Sequence, residues 1–167
     1  MKILVQGKVQ GIILKSQNPI NFLGTVDKKT GIISDKKHDL YDKSIKNSIL
    51  VFPFGVGSSV GAYTIYSIKS NNTAPLAMIC QKADLTVATG CALANIPLVI
   101  VDDEKFTSLH TGQKISLDTE SRPKLIAGNP SVIRFIHNNF GASRTRFGDK
   151  NGNIKFATAS AILHVNK

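Results

Sequence analysis

The chain has 167 residues, 42% hydrophobic and 19% charged, with a formal net charge of +10. That length holds one domain with a real core rather than two large ones, and the composition excludes a disordered chain. The charge is uneven, with 13 Lys+Arg against 9 Asp+Glu over residues 1–119 and 8 against 2 over residues 120–167. Such a surplus attracts acidic partners and phosphate without reading nucleic-acid sequence, and no nucleic-acid motif accompanies it. Cys80 and Cys91 lie in apolar contexts and lack both disulfide-framework and metal-ligand spacing, so they read as buried thiols. Met1 and Lys2 lead into an apolar stretch broken by Gly7, Lys8 and Gly11. That is not a signal peptide, and no run is long enough to span a bilayer; the expectation is a cytoplasmic protein.

In chain order, residues 2–6 and 11–14 predict two short strands around a Gly7–Gly11 turn. Ile20–Val26 and Ile32-Ile33, separated by Asp27-Lys28-Lys29-Thr30-Gly31, predict a hairpin or strand bend. Residues 35–47 read as a polar surface excursion in which His38 is solvated and the lysines are balanced by Asp35, Asp39 and Asp42. From Ile49 strands and helices alternate. Ile49–Phe52 is a buried strand, and a helix follows with Val60, Tyr63, Thr64, Ile65 and Ile68 on one face, closed by Asn71-Asn72. Leu76–Cys80 is the next strand, Asp84 caps a helix through Ala94, and Ile96–Val101 is a third strand. A short helix near Glu104–Leu109 and a strand at Lys114–Leu117 complete the unit. Strand, helix, strand, helix, strand implies parallel pairing with right-handed crossovers. The first third then packs as a separate layer or partial barrel. Beyond Thr119 the pattern weakens: Ser131–Phe140 reads as a helix, Gly141–Gly152 as turns, and Ile154–Val165 as a strand pair.

The stretch from Ser48 to Tyr66 organises the rest. A strand meets Pro53, passes a loop with Gly55 and Gly57, and enters a helix with Ser58 and Ser59 at the capping positions. Free N–H groups and the positive end of the helix dipole stabilise anions there. A P-loop is excluded because Ala62-Tyr63, not Lys-Ser/Thr, follows Gly61, and the dinucleotide fingerprint lacks its third glycine. Gly57-Ser58-Ser59-Val60-Gly61 does match G-x-S-x-G, giving a hydrolase alternative with Ser59 as nucleophile and Asp84, Asp102 or Asp103 and His110 behind it. A purely scaffolding turn is the third reading.

Asn21-Phe22-Leu23-Gly24-Thr25-Val26-Asp27, Thr30-Gly31-Ile32-Ile33, His38-Asp39, Ser44-Ile45, Ile49–Pro53, Gly57–Tyr63, Ala74-Pro75 and Gly90 through Ile96–Val99 stand in one order. Together they resemble the small, swivel-domain subunit of the aconitase X family, over about Gly7 to Leu117. The resemblance implies an α/β fold, a swivelling β/β/α domain over residues 1–119, with a strand-rich first third followed by a βαβαβ unit. Residues 120–167 are then a basic C-terminal appendage of uncertain order. The archaeal two-chain members dehydrate (R)-5-phosphomevalonate to trans-anhydromevalonate 5-phosphate in a mevalonate route to isoprenoids, and others act on cis-3-hydroxy-L-proline. The resemblance further implies that Ser58 is the proton acceptor, that Gly57, Ser59 and Gly61 contact substrate, and that a large subunit carries an iron–sulfur cluster on its own cysteines. This chain alone would be inactive.

Two departures stand out. Relatives carry basic residues near the glycines where this chain has Phe54 and Val56, and a glycine is common where it has Asp42. Arg134, Arg144 and Arg146 of the appendage are candidates to reach the large subunit or a substrate phosphate. A basic nucleic-acid-binding module is the non-enzyme alternative.

Overall fold

A computed structural model describes residues 1–119 in full and, beyond them, only the backbone of Arg144–Gly148, Ile154–Thr158 and Ile162–Val165. The elements are β1 (Lys2–Val5), β2 (Lys8–Lys15), α1 (Phe22–Thr25), β3 (Ser48–Phe54), α2 (Gly61–Ser70), β4 (Ala77–Lys82), α3 (Leu85–Ala94), β5 (Leu98–Ile100), α4 (Asp103–Ser108), β6 (Lys114–Asp118), β7 (Arg144–Gly148), β8 (Ile154–Thr158) and β9 (Ile162–Val165). One sheet runs β1-β5-β4-β3-β2-β6-β9, and β7 pairs with β8 apart from it.

The apolar runs of β3, β4 and β5 form the parallel centre, as alternation with α2 and α3 requires. Side chains two residues apart share a face of a strand. Leu50 and Phe52 therefore join Ile65, Ile68, Val87, Cys91 and Ala94 beneath α2 and α3, while Ile49 and Val51 join Phe106, Leu109, Ile115 and Leu117 on the α4 side. Phe22 meets Phe52 edge-on, with ring centroids 5.7 Å apart.

The α/β class holds, but the first third is not a separate layer. β2 lies parallel to β3 and antiparallel to β6, and β1 lies antiparallel to β5. The parallel centre exposes two edges whose N–H and C=O groups need partners, and β1 and β2 cover one each. Gly7 and Thr119 then tie the ends of this unit: Thr119 N–H donates to Gly7 O at 3.0 Å, and Gly7 N–H to Thr119 Oγ1 at 2.7 Å.

Other local expectations shift. Residues 20–33 form a short helix, α1, capped by Asn21, and isolated bridges at Val26–Ile33 and Ile32–Ser44. His38 is buried rather than solvated: Nδ1 accepts Leu40 N–H at 3.1 Å and lies 3.1 Å from Asp39 Oδ1, while Nε2 has no partner among the described residues. Leu40 and Ile45 are buried with it, so the polar excursion is folded onto the core. On α2 the buried set is Gly61, Ala62, Thr64, Ile65 and Ile68, and Val60 and Tyr63 face outward. Small residues face α3 because the helices cross closely. Of the expected strand pair at 154–165, β8 joins β7 and β9 joins β6. β7 falls inside the stretch expected as turns, and the helix expected at Ser131–Phe140, with Arg134, lies outside the described residues.

Candidate functional site

β3 ends at Phe54 because the chain is seized by the neighbouring segment there. Ile20 N–H donates to Phe54 O at 3.1 Å and Val56 N–H to Ile20 O at 3.0 Å, bracketing Gly55. Gly57 then turns the chain at φ +111°, a conformation that favours glycine. Two overlapping turns follow, with Gly61 N–H on Ser58 O at 2.9 Å and Ala62 N–H on Ser59 O at 3.1 Å.

The start of α2 corrects the expected cap. The N-cap of α2 is Val60, in right-handed helical conformation, and no side chain caps the helix. A capping serine needs extended backbone to turn its oxygen onto the first amides, and here helical turns have already begun. Ser58 and Ser59 are exposed, and neither hydroxyl has a hydrogen-bond partner among the described residues. The N–H groups of Gly57, Ser58, Ser59 and Val60 likewise have no protein acceptor among them. No acidic residue sits in the first turn of α2 to neutralise its positive end. The result is a free hydroxyl pair amid open N–H groups at the start of a ten-residue helix, an arrangement suited to a developing oxyanion.

The predicted site residues differ in what they offer. Gly57, Ser58 and Ser59 lie together in the exposed turn. Gly61 is buried, its N–H is spent on Ser58 O, and a Cβ on it would stand 2.9 Å from Thr86 Cγ2 of α3. Its contribution is close helix approach.

The hydrolase constellation does not assemble. His110 follows α4, on the sheet face opposite α2, and no hydrogen bond links it to Ser59. Asp84 Oδ1 accepts Val87 N–H, Asp102 Oδ1 accepts Lys105 N–H, and Asp103 Oδ1 accepts from Gln81 Nε2. The three carboxylates serve helix starts and a strand end.

Cys80 and Cys91 do not fit a cluster. Both are fully buried; burial pushes the Cys80 thiol up to about 12 and raises Cys91 as well. Cys91 Sγ points at Met78 Sδ, 3.5 Å away. Among the described residues no group of three or more His, Cys, Asp or Glu is placed to hold a metal ion.

Sequence reasoning missed Lys82. It stands directly across from Phe54 in the β3–β4 register, at the carboxyl ends of the parallel strands where open α/β sheets bind ligands. With Phe54, Gln81, Val101, Asp102 and Asp103 it lines a surface depression of about 450 Å³. A second depression, of about 390 Å³, lies at the other end of the strands, by Asn47, Pro75, Asn95 and Pro97. Only the parallel register reveals the Phe54–Lys82 pairing, because 28 positions separate the two residues in the chain.

Residues 1–125 match the family profile described as the aconitase X swivel domain. The chain belongs to the aconitase X swivel-domain family. The phosphomevalonate dehydratase small subunit of Thermococcus kodakarensis is 45% identical over 118 residues, 71% of this chain and 87% of that protein. The subunit of the same name from Methanosarcina acetivorans is 42% identical over 134 residues, 79% of this chain and 93% of its own length. Among solved structures, the holo-form crystal structure of Thermococcus kodakaraensis aconitase X aligns with a TM-score of 0.67 at 44% identity, covering 70% of this chain and 88% of that one. The solution structure of a UPF0107 protein aligns at 0.64 and 39%, covering 69% and 87%. No helix among the described residues of this aconitase X swivel domain is long and apolar enough to cross a membrane.

Proposed function

We propose that this chain is the small subunit of a cytoplasmic hydro-lyase that dehydrates (R)-5-phosphomevalonate to trans-anhydromevalonate 5-phosphate, working with a large subunit of the aconitase X type. The observation that carries the reading is the free Ser58 hydroxyl amid open N–H groups, in a chain 40–45% identical to subunits of dehydratases for phosphomevalonate.

Dehydration of a β-hydroxy acid removes a proton from the carbon beside the carboxylate and hydroxide from the next, leaving a carbon–carbon double bond. Ser58 Oγ takes the proton. Serine is a poor base unless its deprotonated oxygen is stabilised, and the positive end of the α2 dipole, with no acidic residue in the first turn to offset it, favours that charge. Gly57 and Ser59 contact the substrate, Gly61 supports them through its packing on α3, and Lys82 offers a cation beside Phe54. Departure of the hydroxyl belongs to the partner's half of the site. The iron–sulfur cluster implied by the family resemblance is placed on that partner, since the two buried thiols here do not suit it.

The surface supports a partner. Phe54, Val56, Val60, Tyr63 and Leu85 are large, apolar or aromatic, and exposed around the Ser58 turn and the start of α3. α3 carries no charged residue, yet Leu85 and Leu93 are 80% and 60% exposed. A helix apolar all round is normally covered. Residues 1–119 form the swivel unit in this reading, and residues 120–167 a basic appendage.

The test is anaerobic co-purification of the tagged chain from its source cells. A larger, iron-containing chain in equal amount, with turnover of phosphomevalonate by the complex, is expected. A chain recovered alone, or a complex inert towards phosphomevalonate, contradicts the proposal.

A further inference from the structure

Asn21 occupies the space that Gly57 leaves. A Cβ on Gly57 would lie 2.7 Å from Asn21 Oδ1 and 3.1 Å from its Cγ, and one on Gly24 would lie 3.3 Å from Asn21 Nδ2. The amide is therefore held between two glycines. Its Oδ1 accepts Gly24 N–H at 3.3 Å, capping α1, and its Nδ2 has no partner among the described residues.

The segment bearing Asn21 is anchored at both ends. Ile20 brackets Gly55 through its main chain, as described above. At the other end Asp39 holds Ser16 and Gln17: the buried Ser16 hydroxyl donates to Oδ1 at 2.6 Å and Gln17 N–H to Oδ2 at 2.7 Å. Ser16 Oγ also lies 2.8 Å from Asn18 O, but its single proton goes to the nearer, charged acceptor. Asn18 N–H donates back to Ser16 Oγ at 2.9 Å, and Pro19 fixes its own φ. Residues 16–21 thus form a braced strip against the turn that presents Ser58.

We propose that Asn21 is the positioning residue of that turn, acting on Ser58 through Gly57. The inference rests on the reading of Ser58 given under Proposed function. Gly57 is the most permissive joint in the turn, and no side-chain hydrogen bond holds Ser58 or Ser59. The wall that limits Gly57 is the Asn21 amide. Asp39 fixes the wall.

The test uses the full chain, alone and in complex with its large subunit. Asn21→Ser retains an oxygen for the α1 cap but withdraws the amide from Gly57. Amide exchange at Gly61 and Ala62, whose N–H groups close the turn on Ser58 O and Ser59 O, should rise while the remaining amides and Tm stay near wild type. In the complex, kcat for (R)-5-phosphomevalonate should fall ~10- to 100-fold with KM little changed, the signature of a misplaced reacting group. Adding Gly57→Ala to Asn21→Ser should cost less than Gly57→Ala costs in the wild-type chain, since the collision with the amide is gone. Unchanged exchange at Gly61 and Ala62, unchanged kcat, or a fall in kcat matched by lost folded protein overturns the proposal. If the wild-type complex does not turn over phosphomevalonate, the functional reading fails, and exchange at Gly61 and Ala62 alone decides the positioning.

Discussion

Ile65 of α2 and Gly90 of α3 meet where the two helices cross: a Cβ on Gly90 would lie 2.8 Å from both Cβ and Cδ1 of Ile65, and 3.2 Å from Ala62 Cα. The crossing fixes the direction of α2, and so the aim of its open N-terminus.

Gly90→Ala should therefore destabilise the chain despite alanine's better helix propensity. Overpacking costs about 1–3 kcal/mol, against about 1 kcal/mol regained from propensity. Urea unfolding of the isolated chain reads the difference. A variant more stable than wild type would show that the helices have room to separate.

Asp42 adopts φ +62°, the left-handed backbone that favours glycine. The departure from glycine noted in the sequence is therefore a strained one. Asp42→Gly should stabilise by about 0.5 kcal/mol, the strain relieved less the entropy glycine adds to the unfolded chain. Asp42→Ala should give no gain. Thermal unfolding of both variants settles the comparison.

The two thiols predict an alkaline limit. Burial raises both, Cys80 to about 12 from an ordinary value near 9. The folded state therefore favours the protonated thiols. Their contribution is complete below about pH 9 and is lost as pH rises towards 12. Stability should fall across that window, and less steeply in Cys80→Ala after allowance for its cavity. Neither native thiol should react with a thiol reagent at neutral pH, and both should after denaturation.

The parts of this fold that local chemistry dictates were legible in the sequence. Asp84 caps α3 as expected because an acidic side chain ahead of an apolar helix needs no distant partner, and β3, β4 and β5 declare themselves by buried runs. What depends on distant pairing was not. Nothing in the residues of β1 and β2 says which open edge each will take. His38 is buried because Leu40 and Ile45 carry its loop onto the core, a consequence of packing. The site divides in the same way. The glycine turn and its serines were visible, but the absent cap, the Asn21 amide against Gly57, and Lys82 across from Phe54 exist only once the chain is folded.

The central claim is that Ser58 takes the proton. The most direct measurement is the turnover of (R)-5-phosphomevalonate by the two-chain complex carrying Ser58→Ala, beside Ser59→Ala and wild type. Both serines are exposed, and neither caps α2, so both variants should fold and assemble. Ser58→Ala should lower kcat by about 10³-fold or more, the scale expected when a general base is lost from an organised site, while Ser59→Ala should retain most of it. A Ser58→Ala complex that turns over at the wild-type rate would contradict the account.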